Sequence, residues 1–178
     1  YKRQVSIIVV THDRSDLLKT CIESVESKTD YPNYEILIVD QKSEREETLT
    51  YLRSLKHRVI RYDGEFNFAK INNYAVKLAK GDYIIFLNDD TEVIESDWLR
   101  EMVSIAHNRA EVAAVGAKLL FKNGTLQHVG VILGSGGASD HPFKGKPDSH
   151  SGYAGFPHVI RNYLAVTAAC MLVKRKVF

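Results

Sequence analysis

Three places in this chain set polar, chargeable side chains at the end of an apolar run. Asn88-Asp89-Asp90 follows Tyr83-Ile84-Ile85-Phe86-Leu87, Asp40 follows Tyr34 to Val39, and Thr11-His12-Asp13 follows Val5-Ser6-Ile7-Ile8-Val9-Val10. Adjacent Asp89 and Asp90 repel each other, so the pair is unfavourable unless a cation sits beside them. A divalent ion held by oxygen ligands and itself bound to phosphates meets that need. The plain alternative is an acidic turn before a helix, the usual setting of an isolated Asn-Asp-Asp. Asp40 can accept hydrogen bonds from a nucleoside, or serve as a carboxylate at a helix N-terminus. A cation on Asp90 would neutralise a diphosphate and favour its departure.

Such groups do chemistry only if the chain brings them together. The run Val5–Val10 is rich in β-branched residues and reads as a strand covered on both faces. Ser15 then caps a helix whose apolar positions are Leu18, Cys21, Ile22 and Val25. Tyr34–Val39 is a second strand, and Ser43 with Glu46 reads as a capping box opening a helix through Leu49, Leu52 and Leu55. Arg58–Tyr62 is a short strand, and Phe68–Ala79 a helix closed by Gly81 as a C-terminal cap. After the strand that ends at Asn88, a helix begins near Ser96, with Trp98, Met102, Ile105 and Ala106 on its core side. Alternating strands and helices predict an open, mostly parallel α/β sheet with helices on its faces. The C-terminal ends of its strands share one edge, so the three clusters should converge there.

Beyond residue 110 the pattern changes. Val112–Phe121 and Leu126–Leu133 read as strands joined through Asn123-Gly124, a strong hairpin dipeptide. Gly134–Pro157 reads as a long loop, and Ala165–Val173 as another buried strand. His128 falls in a strand and reads as a packed histidine. His141, His150 and His158 lie where they could line an acceptor side, and their spacing fits no zinc signature.

Bulk properties narrow the class. The chain has 178 residues, 44% of them hydrophobic, and a formal net charge of +2, enough for one domain with a core. So small a charge, with no basic block, argues against nucleic acid as a partner. Cys21 and Cys170 fit no metal spacing and read as buried thiols of a reducing compartment. No apolar run is long enough to cross a bilayer. With a first residue that is not Met and a last one shortly after Lys174-Arg175-Lys176, the sequence is expected to be a piece of a longer protein. The glycine-rich dinucleotide fingerprint and the lysine-bearing phosphate loop are both missing.

Taken together, Val5–Arg14, Glu35–Ser43, Asn73 with Gly81-Asp82-Tyr83, and Asn88-Asp89-Asp90 resemble the family 2 glycosyltransferases of the GT-A fold. Asn67-Phe68-Ala69-Lys70-Ile71-Asn72-Asn73 and Phe86 to Val93 are particularly similar to bacterial enzymes that build O-antigen and other surface polysaccharides. Val115–Leu120, Leu126–Val131 and Ala165–Val173 continue the likeness, which therefore covers essentially the whole chain.

The resemblance implies a nucleotide-diphosphate-sugar donor, UDP- or dTDP-type, a manganese or magnesium ion, and a glycan or lipid-linked acceptor. Asp90 matches the direct metal ligand, and Asp89 a second ligand or a contact to the donor's ribose or sugar. Thr11 and His12 match the segment under the nucleoside, and Asp40 the first acid of the family's pair. Its second place, the base contact, holds Gln41, which leaves the nucleotide open. Asn73 matches the asparagine of an Arg-Asn pair whose arginine is here Asn72; Lys70, one turn back, stands as the substitute positive charge. Residues 1–110 would form the donor half and 111–178 the start of the acceptor half of a single domain. An inverting enzyme needs a carboxylate base, and Asp140 and Asp148 lack the family's context, so the base is expected beyond Phe178 and the fragment is expected to transfer sugar poorly. The competing expectation is a non-catalytic nucleotide-sugar-binding module of a larger assembly. The resemblance implies a cytoplasmic setting, with any association with the inner face of the membrane made through parts outside this chain.

Overall fold

The computed structural model describes residues 3–135 and 138–178. Its centre is a six-stranded sheet in the order β3-β2-β1-β4-β10-β5. The strands are β1 (Val5–Thr11), β2 (Tyr34–Asp40), β3 (Arg58–Arg61), β4 (Tyr83–Asn88), β5 (Ala114–Gly116) and β10 (Cys170–Lys174). β1 runs parallel to both β2 and β4, and β2 parallel to β3, whereas β10 lies antiparallel to β4 and β5. Four helices connect the strands among the described residues: α1 (Ser15–Lys28), α2 (Glu46–Ser54), α3 (Phe68–Leu78) and α4 (Trp98–Asn108).

Alternation along β1 explains why helices cover both faces. Val5, Ile7 and Val9 pack with Leu18, Cys21, Ile22 and Val25 of α1 and with Leu99, Met102 and Val103 of α4. Ile8 turns the other way and joins Leu37, Val39, Ile84 and Phe86 against Ile71, Ala75 and Val76 of α3. Each fully buried isoleucine of this kind stabilises the fold by roughly 1.5–3 kcal/mol. No helix is long and apolar enough to cross a membrane among the described residues, and both cysteines are buried and free.

The ends of several elements differ from their sequence expectation. Ser15 is the first residue of α1 and caps nothing; Arg14 occupies the cap position without a side-chain bond. The expected capping box at Ser43 does not form, because α2 starts only at Glu46. The Ser43 backbone N–H donates to Asp40 Oδ1 (2.9 Å) and its hydroxyl accepts from the Asp13 N–H (3.0 Å). Asp13 does the holding instead: its Oδ1 accepts from the N–H groups of Glu44 (3.0 Å) and Arg45 (2.9 Å). That contact offsets the strain of its left-handed φ of 50°, a region that Asp tolerates better than most residues.

The second half departs further. The expected strand over 112–121 is divided into β5 and β6 (Leu119–Leu120), because β5 joins the main sheet while β6 pairs with β7 (Leu126–His128). The Asn123-Gly124 turn is present, with Gly124 at φ 78°. The return strand stops at His128, since Gly130 at φ 132° breaks the extended path. Ile132–Ser135 then forms β8, paired with β9 (Ala138–Asp140), inside the segment expected to be a loop; residues 136–137 of that loop lie outside the described residues. A short 3-10 turn at Phe156–His158 also falls in it. The last strand begins at Cys170, not Ala165, and only Val131 bridges to Ala165.

Gly81 is a close-approach glycine, not a left-handed cap. Ala79 closes α3 in extended conformation. A Cβ on Gly81 would stand 2.5 Å from the Ser6 backbone N and 2.8 Å from the Val5 carbonyl carbon. Buried Ser6 accepts from the Gly81 N–H at 2.8 Å and donates to Glu35 Oε1 at 2.6 Å. Gly81→Ala is therefore expected to force β1 and the α3–β4 turn apart and cost about 1–3 kcal/mol, read as a lowered midpoint in denaturant unfolding. An unchanged midpoint would refute the close packing.

Candidate active site

Register alone brings the polar ends together. Thr11 is the register partner of Asp40, and Val10 that of Asn88, so the last residues of β2, β1 and β4 stand side by side. The Thr11 hydroxyl donates to Asp89 Oδ2 at 2.8 Å, which locks the end of β1 to the acidic triplet. The Gln41 N–H continues the parallel ladder to the Thr11 carbonyl (2.9 Å). His12 is exposed, and its Nδ1 lies 2.7 Å from the Gln41 carbonyl. A carbonyl only accepts, so that nitrogen carries a proton.

Asp40 is buried and both of its oxygens have protein partners. Oδ1 takes the Ser43 N–H, and Oδ2 takes Arg61 Nη1 at 2.7 Å. Arg61 also donates to the Ser43 carbonyl and to Asp63. The pair Asp40–Arg61 thus ties the loop after β2 to the end of β3. The Gln41 amide donates to the Gly64 carbonyl at 3.4 Å. Arg61 was absent from the sequence expectation, yet it ends β3 as the register partner of Asp40; a basic residue closing the strand beside an acidic one was the signal.

The triplet itself is short of positive charge. Asp90 is exposed, and neither Asp89 nor Asp90 makes an ion pair among the described residues. Burial pushes the Asp89 carboxyl above its ordinary range and the Asp90 charge adds to that; the Thr11 hydroxyl and the Arg14 charge pull the other way. Two adjacent hard oxygen donors with no ion-pair partner among the described residues fit a divalent cation that completes its shell with phosphates and water. Among the described residues no group of three or more His, Cys, Asp or Glu side chains could enclose a metal. The residues thus suit a cation shared with a ligand, not a closed structural site.

Lys70 and Asn73 are exposed on the first turns of α3, with no side-chain bond to the triplet, Thr11 or Asp40 among the described residues. Their neighbour Asn72 is buried, donates to the Phe68 carbonyl at 2.8 Å, and lines a cavity with Asn88 and Asp89. The residue that faces the site from α3 is therefore Asn72.

The histidines of the second half form a separate group. His128 Nδ1 lies 2.7 Å from His141 Nδ1, and its Nε2 accepts from the Thr167 N–H. Burial, with His141 adding to it, pushes the His128 imidazole down to about 4. His128 and His158 line a cleft of about 700 Å³ along β5, together with Lys118 and Arg161, and His158 reaches the His150 carbonyl. Asp148 is ion-paired with Lys118, and Asp140 Oδ1 accepts the His141 N–H.

Residues 6–163 match the family model described as Glycosyl transferase family 2. The O-antigen biosynthesis protein RfbC of Myxococcus xanthus is 45% identical over 179 residues, covering 98% of this chain and 14% of the relative. The uncharacterized protein y4gI of Sinorhizobium fredii is 40% identical, covering 98% of this chain and 20% of the relative. The chain thus spans a small part of the length of these curated relatives. Among solved structures, the mannosyltransferase PcManGT of Pyrobaculum calidifontis, in complex with GDP-Man and Mn2+, superposes with a TM-score of 0.60 at 22% identity, over 67% of this chain and 36% of that one. TarS 1-349 of S. aureus in complex with UDP-GlcNAc gives 0.55 at 23% identity, over 68% of this chain and 36% of that one. At such identities the likeness is one of fold.

The raised Asp89 carboxyl has a consequence for stability. A carboxyl whose folded pKa exceeds its unfolded value binds more protons in the folded state, so stability falls as pH rises through the interval between them and stays lower above it. Asp89→Asn keeps an acceptor for Thr11 and removes that cost. It is expected to raise Tm at pH 7, by about 2–4 °C for each kcal/mol relieved, with the gain shrinking as pH drops toward the ordinary Asp value of 3.8. Thermal unfolding across that range checks it; a lower Tm at pH 7 would contradict it.

Proposed function

This chain belongs to glycosyl transferase family 2 and has the GT-A fold, and on that premise we propose that it binds a nucleoside-diphosphate sugar across the ends of β1, β2 and β4. In this reading Asp90, with Asp89, holds a manganese or magnesium ion. The observation that carries it is the pair Asp89–Asp90, which makes no ion pair among the described residues and is fixed by the Thr11 hydroxyl at the edge where the Asp40–Arg61 pair also ends. When bound, the cation neutralises the diphosphate and stabilises it as a leaving group.

The chain's own residues supply the rest of the site. The edge made by Thr11, His12, Asp40 and Gln41 receives the nucleoside. His12 offers Nε2 to a base or ribose, and Gln41 keeps its side-chain oxygen for the same purpose while its amide stays on Gly64. Asp40 acts through Arg61 and Ser43, holding the loop that forms the nucleoside wall. In the same reading Lys70, exposed on the first turn of α3, supplies a positive charge to the diphosphate. The sugar is transferred with inversion to a hydroxyl of a glycan or lipid-linked acceptor during polysaccharide synthesis. The base that deprotonates this hydroxyl is assigned to none of the described residues.

Nucleoside diphosphates carrying uracil, thymine or guanine, each with and without manganese, test the assignment by thermal shift. A ligand at a hundred times its Kd stabilises the fold by about 2.7 kcal/mol, several degrees of Tm. The expected outcome is a shift that requires manganese and nucleotide together and is lost in Asp90→Ala. The same manganese-dependent shift in Asp90→Ala would overturn the metal assignment.

A further inference from the structure

The pair His128–His141 lies outside the site proposed above, and its hydrogen bonds fix where each proton must sit. His128 belongs to β7 and is 2% exposed. Its Nε2 faces the Thr167 N–H at 3.4 Å. A backbone N–H only donates, so Nε2 carries no proton and neutral His128 holds its proton on Nδ1. That proton points at His141 Nδ1, 2.7 Å away, so neutral His141 holds its own on Nε2. All four ring nitrogens are thereby assigned, and one further proton has two places to go. On His128 Nε2 it would meet the Thr167 N–H. On His141 Nδ1 it would set two N–H groups against each other. Either way one of the two bonds breaks.

No neighbouring charge relieves that conflict. Asp140 accepts the His141 backbone N–H, not a ring proton. Lys118, paired with Asp148 and 3.4 Å from His158 Nδ1, lines the cleft beside His128, as do Arg109, Glu111, His158 and Arg161. Among the described residues none of these bonds to either ring of the pair, and a buried imidazolium without a carboxylate is costly. The bonds at stake also lead toward the acidic triplet. The Thr167 hydroxyl accepts the Ala169 N–H at 3.3 Å, and the Ala169 carbonyl accepts the Asn88 N–H at 2.9 Å. We propose that His128 and His141 form a proton-sensitive clasp, closed while both rings are neutral and opened by one added proton, that positions Asn88 through the turn before β10. The clasp couples the acid–base state of the second half to the order of the edge that carries Asp89 and Asp90.

Nitrogen NMR of the unsubstituted chain at about pH 7.5, where unperturbed histidines are neutral, reads the tautomers directly. His128 is expected as Nδ1–H and His141 as Nε2–H; a proton on His128 Nε2 overturns the proposal. Amide exchange then follows the opening. His128 titrates at about 4 in the closed clasp, against 6.5 for an ordinary imidazole, so between those values the open form binds more protons and rising pH favours closure. As pH falls through that interval, Thr167 protection, corrected for intrinsic exchange, is expected to drop about tenfold per pH unit, the slope of one linked proton. Asn88 protection is expected to drop with it. His128→Gln keeps an amide oxygen for the Thr167 N–H and removes the titrating ring, so it should flatten the profile at both amides. His141→Ala, at a partly exposed position, leaves His128 Nδ1 without its acceptor and should lower Thr167 protection already in the neutral range. A flat profile in the unsubstituted chain, an unchanged slope in His128→Gln, or a Thr167 slope that Asn88 does not share overturns the proposal. If His128→Gln does not fold, the tautomers and the profile of the unsubstituted chain decide it. No nucleotide or cation enters these measurements, so failure of the clasp and failure of the donor site are separate results.

Discussion

Parallel pairing in register is the constraint on which the rest of this molecule depends. β1 sits between β2 and β4, and all three run the same way, so their last residues come to a common edge. Their interiors are apolar on both faces and are covered by α1 and α4 on one side and α3 on the other. Polar side chains have no place within such strands unless they are paired, as Ser6 is with Glu35 and Gly81. They collect at the ends. A hydrogen bond between Thr11 and Asp89 then converts neighbouring strand ends into one site.

Most charge at that edge is internally satisfied. Asp40 meets Arg61 and Ser43, and Asp13 holds the backbone at the start of α2, where the N–H of Arg45 keeps its carboxyl below the ordinary range. These contacts join the loops after β1 and β2 and the end of β3 into a fixed platform. Asp89 and Asp90 make no ion pair among the described residues, and only the charge of Arg14 acts on Asp89 from nearby. An active site commonly keeps such an imbalance, since it costs stability without ligand and gains interaction energy with one.

The cavity beside Asp89 arises from the same geometry. α3 covers the middle of its face, and its first turn stands back from the ends of β1 and β4, so Phe86 and Val10 border open space. The surface beside α3 is therefore aromatic, while the acidic pair Asp89–Asp90 lies just past the end of β4.

The sequence by itself determined the alternation of strands and helices through the first hundred residues, and with it the shared edge of Thr11, Asp40 and Asp89–Asp90. Apolar runs closed by acids need no partner to be recognised, and the ordered motifs around them carried the family. It determined far less after residue 110. There β6, β7, β8 and β9 are strands of two to four residues, too short to leave a periodic signal, and β10 starts where Cys170 meets Leu87 rather than where the apolar run begins. Tertiary structure alone decided that Ser43 serves Asp40 and Asp13 instead of capping α2, that Gly81 is required by the approach of β1, and that Asn72 faces the site while Asn73 is exposed. Each of these depends on which backbone lies opposite, a distance that spacing along a chain does not contain.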